Sequence, residues 1–210
     1  GLMTIVDGAH VPGHMKLDLS QLNADAYTGA CHKWMMTPKG SSFLYVKKKF
    51  HEGLDPLIIS WGYESDQPSP SRFLDYHQFN GTRDFSAYLT IPKAIEFMKQ
   101  YNWDDVAANC RKMVRDNANR FCDLLHTKTL CPVSDDYLGQ MLSLPISTDD
   151  PELLQRIRYG KYHIEVPVMR HGENVFLRYS INAFNSQQDL DILFNALHDL
   201  ISSSAVLSTG

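Results

Sequence analysis

The sequence of 210 residues lacks the features that define several large classes of protein. It contains no CxxC pair, and its four cysteines are the scattered residues Cys31, Cys110, Cys122 and Cys131. This pattern predicts neither a zinc site nor a disulfide framework, and it favours reduced thiols in a cytoplasmic protein. No apolar run approaches the length of a membrane span and no signal-peptide pattern is present, so no membrane partner is expected.

An excess of positive charge is also absent. The chain has 24 acidic residues and 20 Lys and Arg, which gives a formal net charge of −4. This balance excludes a general nucleic-acid binder and a polybasic membrane surface. The sequence is 43% hydrophobic and 21% charged, which is ordinary for a globular protein long enough to bury a sizeable core.

The chain opens with an apolar run at residues 2–6 that ends at Asp7-Gly8. An apolar run before such a turn pair predicts a buried strand. A strand this apolar normally has neighbours on both sides within a sheet. We therefore expect the sequence to begin in the middle of a longer chain.

The remaining pattern divides the chain into residues 1–101 and 102–210. The first part predicts two further strands, a mainly irregular stretch at 51–86 that is long enough to be functional, and one helix through 87–101 containing Pro92. The second part predicts an α+β domain, with a long amphipathic helix from Trp103, a strand at 140–146, a helix capped by Asp150, two strands joined at 171–173, and a last helix after Ser186.

Two residues of the first part could carry chemistry. Asp7 follows a strand of an α/β sheet, where ligands bind, although an Asp-Gly pair is also a common turn. Lys33 lies in "YTGACHKWMMTPKG", between uncharged and apolar residues, and such flanks predict a partly desolvated amine with a lowered pKa. By itself it would be interpreted as a surface lysine. Together the two suggest a site for pyridoxal 5′-phosphate (PLP), which needs a Schiff-base lysine and a carboxylate beside its pyridine nitrogen.

Several motifs then agree in order and spacing with a known family. The segments "IVDGAHVPGH", "ADAYTGACHKWMMTPKGSSFLYV", "FNGTRDFSAYLTIPKAI" and "LRYSINAFNSQQDLDIL" resemble the class V aminotransferase family of PLP enzymes, in particular its isopenicillin N epimerase-like branch. The resemblance implies the fold type I, PLP-dependent transferase-like α/β fold. It makes residues 1–101 the C-terminal part of the large parallel-sheet PLP domain and residues 102–210 the small α+β domain.

The resemblance also implies roles for individual residues. Lys33 would form the Schiff base with PLP, Asp7 would pair with the pyridine nitrogen, and His10 would lie near the phenolic oxygen of the ring. His32 would lie near the cofactor phosphate. Thr82 would reach the phosphate of a neighbouring subunit's cofactor, which implies a homodimer with shared sites. In the second part, Arg178 would hold the α-carboxylate of an amino-acid substrate; without the resemblance it would be interpreted as a charge at the rim of a strand.

Two departures from the family pattern qualify these expectations. Ala30 occupies a position where many relatives have a polar Ser or Asn, so one contact to the cofactor is expected to be missing. Residues 160–173 contain no cysteine, so a desulfurase mechanism with a persulfide is not expected. His163 and His171 lie in that region as candidates for substrate-side groups, although surface positions are the simpler interpretation.

The sequence leaves the reaction open. Epimerisation, transamination and β-elimination all begin with removal of a proton from the substrate α-carbon, here by Lys33. The family's ring-stacking aromatic residue and first phosphate-binding helix have no counterpart in this sequence, so an upstream N-terminal polypeptide is expected as a partner. The alternative function is that of a non-catalytic fragment or pseudoenzyme that serves as a binding or assembly partner.

Overall fold

A computed structural model describes residues 1–203 and 206–209. The chain divides into two compact units, residues 1–101 and 102–210, and each is described by itself. In the described part of the chain, no helix is both long and apolar enough to cross a membrane.

The first unit is built on a three-stranded sheet. Its strands are β1 (Ile5–Asp7), β2 (Ala26–Ala30) and β3 (Ser42–Val46), in the spatial order β1-β2-β3. β1 pairs with β2 in parallel, and β2 pairs with β3 in antiparallel orientation. β2 is the central strand and four of its five residues are buried, as expected for a strand with neighbours on both sides.

The prediction of a buried first strand is correct in type and wrong in environment. β1 lies at an edge of the sheet, Ile5 is 70% exposed, and Leu2 just before it is 97% exposed. Burial of both faces and both edges requires a second neighbour for β1. The described residues of this chain supply only β2.

Helices and turns surround this sheet. The short helix α1 (Leu19–Leu22) has Asp18 as its N-cap, and a 3₁₀ helix covers Lys48–Gly53. The stretch at 51–86 was predicted to be mainly irregular, but it contains the helix α2 (Arg72–Gln78), whose N-cap is Ser71. The helix expected around Pro92 is divided at Thr90 into α3 (Ser86–Leu89) and α4 (Ile91–Gln100). Pro92 lies in the first turn of α4, where its missing N–H costs nothing.

The second unit has an antiparallel sheet covered by helices. The sheet has the order β4-β6-β5, formed by β4 (Met141–Ile146), β5 (Val168–His171) and β6 (Asn174–Ser180). Its helices are α5 (Trp103–Leu125), α6 (Pro151–Tyr162) and α7 (Gln187–Ser202). The predicted caps are confirmed: the Asp150 side chain accepts the N–H of Leu153, and Ser186 forms a reciprocal capping box with Asp189.

The core of the second unit lies between α5, α7 and one face of the sheet. Phe121, Leu144, Leu177 and Leu197 in this core are fully buried. The hydroxyl of Tyr179 donates to the carbonyl of Val114 at 3.1 Å, so this large side chain is buried with its polar atom paired. Alternate residues of β6 therefore face the helices, which leaves Arg178 on the opposite face of the strand.

One charged residue is buried in the same unit. Arg158, on α6, is 0% exposed, and its Nη2 donates to the carbonyl of Val166 at 2.6 Å. Its Nε and Nη1 atoms have no acceptor among the residues that the structure describes. Burial lowers the pKa of Arg158 to about 10. A buried cation with so little compensation is expected to oppose folding.

Replacing Arg158 with Met tests this expectation. Met is also long and unbranched, and it removes the buried charge at the cost of one hydrogen bond to Val166. We expect Arg158→Met to leave the free energy of unfolding unchanged or to raise it by up to about 3 kcal/mol, measured by urea denaturation.

Arg158→Ala is the matched control, because it removes the charge and also leaves a cavity. It should be less stable than the Met variant by about 2–4 kcal/mol. A Met variant as unstable as the Ala variant would show that the guanidinium makes a net favourable contribution.

Candidate functional site

Parallel pairing brings two candidate segments to the same end of the first sheet, where β1 and β2 have their carboxyl ends. Asp7 is the last residue of β1 and pairs in register with Thr28 of β2. Lys33 follows the end of β2 by three residues. Because the carboxyl ends of parallel strands point the same way, the Asp7 turn and the Lys33 turn leave the sheet at the same end, called here the carboxyl end of the sheet. Open α/β sheets bind ligands at this end.

The Asp7 turn is tightly constrained. The Asp7 carboxylate accepts the N–H of Ala9 at 3.0 Å, and the N–H of Gly8 donates to the carbonyl of Thr28 at 2.9 Å. A Cβ atom at Gly8 would lie 1.8 Å from the hydroxyl oxygen of Tyr27, so only glycine fits. Asp7 itself is exposed, which leaves its carboxylate accessible to a ligand.

The Lys33 turn is anchored to the start of β3. The carbonyl of the fully buried Ser41 accepts both the N–H of Cys31 and Nδ1–H of His32, each at 3.0 Å. Met36 closes the turn in the left-handed region at φ 58°. Since Nδ1 of His32 is already a donor, its ring could offer a second N–H to a phosphate only as an imidazolium.

Lys33 is exposed, while Cys31 and Trp34 beside it are buried. The expectation of a desolvated lysine is therefore not met in this chain. The apolar flanks that suggested it do turn inward, but the turn directs the residue between them outward.

Trp34 connects the two turns. Its indole Nε1 donates to Nδ1 of His10 at 3.1 Å. The ring of His14 stacks on Trp34 with a centroid distance of 4.4 Å, and Nδ1 of His14 donates to the carbonyl of His10 at 2.8 Å. The sequence interpretation assigned His10 a role but missed Trp34 and His14. The spacing of His10 and His14 around a Pro-Gly turn was the available signal.

Thr82 lies in a different part of the first unit. It is exposed in the segment that connects α2 with α3, directly after Gly81, which has φ 120°. A groove of about 890 Å³ runs beside this segment, and its lining includes Thr28, Asn80 and Arg83. Thr28, the register partner of Asp7, lines the groove together with Ser42, Phe43 and Leu44, so the groove lies along β2 and β3.

Arg178 belongs to the second unit. It lies on the central strand β6, in register with Ser143 of β4, and its N–H donates to the carbonyl of Pro167 at 3.0 Å. Its Nε atom is buried and has no acceptor within the described part of the chain. A buried donor without an acceptor is costly, and it suits an anionic ligand such as a carboxylate.

The two histidines of residues 160–173 have different positions. His163 is the left-handed C-cap of α6, at φ 55°, and its N–H donates to carbonyls of that helix. His171 is exposed at the end of β5. His163 thus ends a helix, and β5 starts only at Val168.

The chemical groups at the carboxyl end of the sheet fit PLP. It presents an exposed carboxylate in Asp7, an exposed primary amine in Lys33 and two imidazoles in His10 and His32. These are the groups that the cofactor needs at its pyridine nitrogen, its aldehyde carbon and its oxygen atoms. The fit rests on the chemical types of these side chains and on their position at one end of the sheet.

Comparisons with known proteins show which family this chain resembles. The family described as "Aminotransferase class-V" matches residues 1–193. Isopenicillin N epimerase of Streptomyces clavuligerus is 34% identical over 213 residues, which are 95% of this chain and 53% of that protein. A cysteine desulfurase of Thermococcus onnurineus NA1 superimposes with a TM-score of 0.78 at 21% identity, over 95% of this chain and 52% of the other.

A third comparison concerns a protein with its cofactor. A C-DES mutant with glycine covalently linked to the PLP cofactor has a TM-score of 0.69 at 16% identity, over 91% of this chain and 50% of the other. The chain thus spans about half the length of these relatives. The fold is the PLP-dependent, fold type I fold of these enzymes, as predicted. With the family matched over residues 1–193, the chain belongs to the class V aminotransferases.

Proposed function

We propose that this chain is the C-terminal portion of a PLP-dependent enzyme that acts at the α-carbon of an amino acid. The observation that carries the proposal is that Asp7 and Lys33 both follow strands at the carboxyl end of one sheet, in a chain of the class V aminotransferase family. The similarity to isopenicillin N epimerase and to the C-DES mutant with glycine linked to PLP supports the cofactor and the substrate class.

PLP, when bound, supplies an electron sink for the pair of electrons released when a bond to the substrate α-carbon breaks. Asp7 would keep the pyridine nitrogen protonated through its negative charge. Lys33 would hold the cofactor and would then remove the α-proton as a general base. The exposure of Lys33 leaves its amine accessible to the cofactor and to the substrate.

Arg178 is proposed to bind the substrate α-carboxylate. Its guanidinium has a planar fork that matches a carboxylate with two parallel hydrogen bonds. The buried Nε without an acceptor among the described residues supports this role. In this role Arg178 would orient the substrate through its α-carboxylate.

We propose epimerisation as the reaction, because an isopenicillin N epimerase is 34% identical over 95% of this chain. It requires a second proton donor on the opposite face of the α-carbon.

Sulfur chemistry through a cysteine nucleophile is less consistent with the chain. Cys31, Cys110 and Cys122 are buried, and burial raises the pKa of each thiol, which disfavours the reactive thiolate. No cysteine occurs in residues 160–173.

The proposed enzyme includes more than these residues. The relatives are about twice as long as this chain, and β1 exposes Ile5 at the edge of the mixed sheet. Both facts support an N-terminal polypeptide that completes the sheet. We propose in addition a homodimer in which Thr82 contacts the phosphate of the neighbouring subunit's cofactor, since this exposed residue follows a glycine turn beside the groove.

The central experiment is to find the residue that binds PLP. We expect borohydride reduction of the purified, PLP-loaded protein, followed by peptide mass spectrometry, to place a phosphopyridoxyl group on Lys33. Lys33→Ala should remove the modification, while the control Lys39→Ala, in the same loop, should keep it.

Asp7→Asn should still be modified at Lys33, but α-proton exchange in deuterated water should fall by orders of magnitude because the ring nitrogen loses its anionic partner. Modification at Lys39 instead would refute the assignment of Lys33. No modification at any lysine would favour the non-catalytic binding role.

Arg178→Lys is expected to weaken substrate binding. Lysine keeps the charge but loses the two-pronged geometry, so KM should rise about 10- to 100-fold. The control Arg170→Lys, on the exposed end of the neighbouring strand β5, should leave KM unchanged. An equal response of both variants would assign Arg178 to the structure of the sheet rather than to the substrate.

Mixing subunits tests the shared site. A Lys33→Ala chain and a Thr82→Ala chain should each be inactive, and a mixed dimer should regain part of the activity because one of its two sites contains both residues. Subunit exchange is verified with two differently tagged chains. Absence of rescue among verified mixed dimers would place Thr82 and Lys33 in the same subunit's site, or Thr82 outside it.

A further inference from the structure

The hydrogen bond between Trp34 and His10 has a definite direction. An indole N–H is a donor and has no lone pair to offer, so it must be the donor in the 3.1 Å contact between Nε1 of Trp34 and Nδ1 of His10. Nδ1 of His10 is therefore the acceptor and carries no proton. A neutral imidazole has a single N–H, which for His10 must then be on Nε2.

We propose that Trp34 is a positioning residue that holds His10 as its Nε2–H tautomer, so that His10 donates a hydrogen bond to an oxygen of the bound cofactor. This inference rests on the proposed function for the identity of the acceptor, and on the contact itself for the tautomer. Without Trp34, both tautomers of His10 are accessible, and the one protonated at Nδ1 would turn a lone pair from Nε2 toward that oxygen.

The position of Trp34 is itself closely constrained. Its side chain is 6% exposed, and the ring of His14 stacks on it with an interplanar angle of 26°. A Cβ atom at Gly13 would lie 2.7 Å from the carbonyl carbon of Trp34, so the two backbone segments touch. Gly13 also adopts φ 79°, which favours glycine. The indole thus has little freedom to leave His10.

His14 provides an internal reference with the opposite tautomer. Its Nδ1 lies 2.8 Å from the carbonyl oxygen of His10, and a carbonyl can only accept, so the proton of His14 is on Nδ1. Two histidines four residues apart are therefore assigned different protonated nitrogens by the same small cluster. Since Trp34 directly follows Lys33, the turn that presents the amine also sets the hydrogen-bonding character of His10.

The tautomers can be read directly by nuclear magnetic resonance. In the cofactor-free protein labelled with ¹⁵N-histidine and ¹⁵N-tryptophan, at about pH 8 where imidazoles are largely neutral, two-bond ¹H–¹⁵N correlations distinguish the two nitrogens. We expect His10 to be protonated at Nε2 and His14 at Nδ1, with a scalar coupling across the hydrogen bond from Nε1 of Trp34 to Nδ1 of His10.

Trp34→Phe removes the N–H and keeps a ring for His14 to stack on. We expect His10 to become a mixture of tautomers in this variant. Trp61→Phe, at an 87% exposed tryptophan of the same unit, is the matched control and should leave both histidines unchanged. A wild-type His10 protonated at Nδ1, or a tautomer unaffected by Trp34→Phe, would overturn the proposal. If Trp34→Phe fails to fold, the wild-type tautomer and the coupling across the hydrogen bond decide it.

A second measurement tests the effect on the cofactor in the PLP-loaded protein. Loss of one neutral hydrogen bond predicts about a three- to tenfold weaker PLP affinity for Trp34→Phe. In a His10→Gln background the same change should have little effect, because a glutamine amide always carries a donor. An undiminished effect in that background would show that Trp34 acts by packing. Absence of PLP binding in the wild type would count against the proposed function, while the tautomer measurement would still stand.

Discussion

The parallel pairing of β1 with β2 is the interaction on which the candidate site depends. Asp7 and Lys33 are separated along the chain by a turn, a short helix and a strand. Only parallel pairing places the carboxyl ends of both strands at the same end of the sheet, because antiparallel pairing would place them at opposite ends. The pairing of Val6 with Tyr27 and of Asp7 with Thr28 therefore determines whether the carboxylate and the amine can serve one ligand.

The two units place their candidate residues by different means. In the first unit the groups lie on turns, which are held by backbone carbonyls such as that of Ser41 and by the contact of Trp34 with His10. In the second unit Arg178 lies on the central strand of a sheet whose opposite face is fully packed against helices. A guanidinium on a rigid strand suits the orientation of a substrate, and turns that are held in place suit a cofactor that must meet several groups at once.

Sequence patterns predicted most of the secondary structure, including the caps at Asp150 and Ser186, because these depend on residues close in the chain. The exposure of Ile5 and Lys33 was not predictable in the same way. Whether an apolar strand is buried depends on a second neighbouring strand, and whether a lysine is desolvated depends on which way its turn faces. The contact of Trp34 with His10 joins residues 24 positions apart and required the three-dimensional structure.

The hairpin formed by β2 and β3 has a consequence for the order of assembly. Lys33 lies in the loop that these antiparallel strands close, with Ala30 opposite Ser42, so its surroundings involve residues close in sequence. Asp7 joins through pairing with Thr28, across a longer connection. Closing a short loop is entropically cheaper than closing a long one. The lysine loop should therefore form before the carboxylate arrives, an order that pulsed hydrogen exchange during refolding would register as earlier protection of β2 and β3 than of β1.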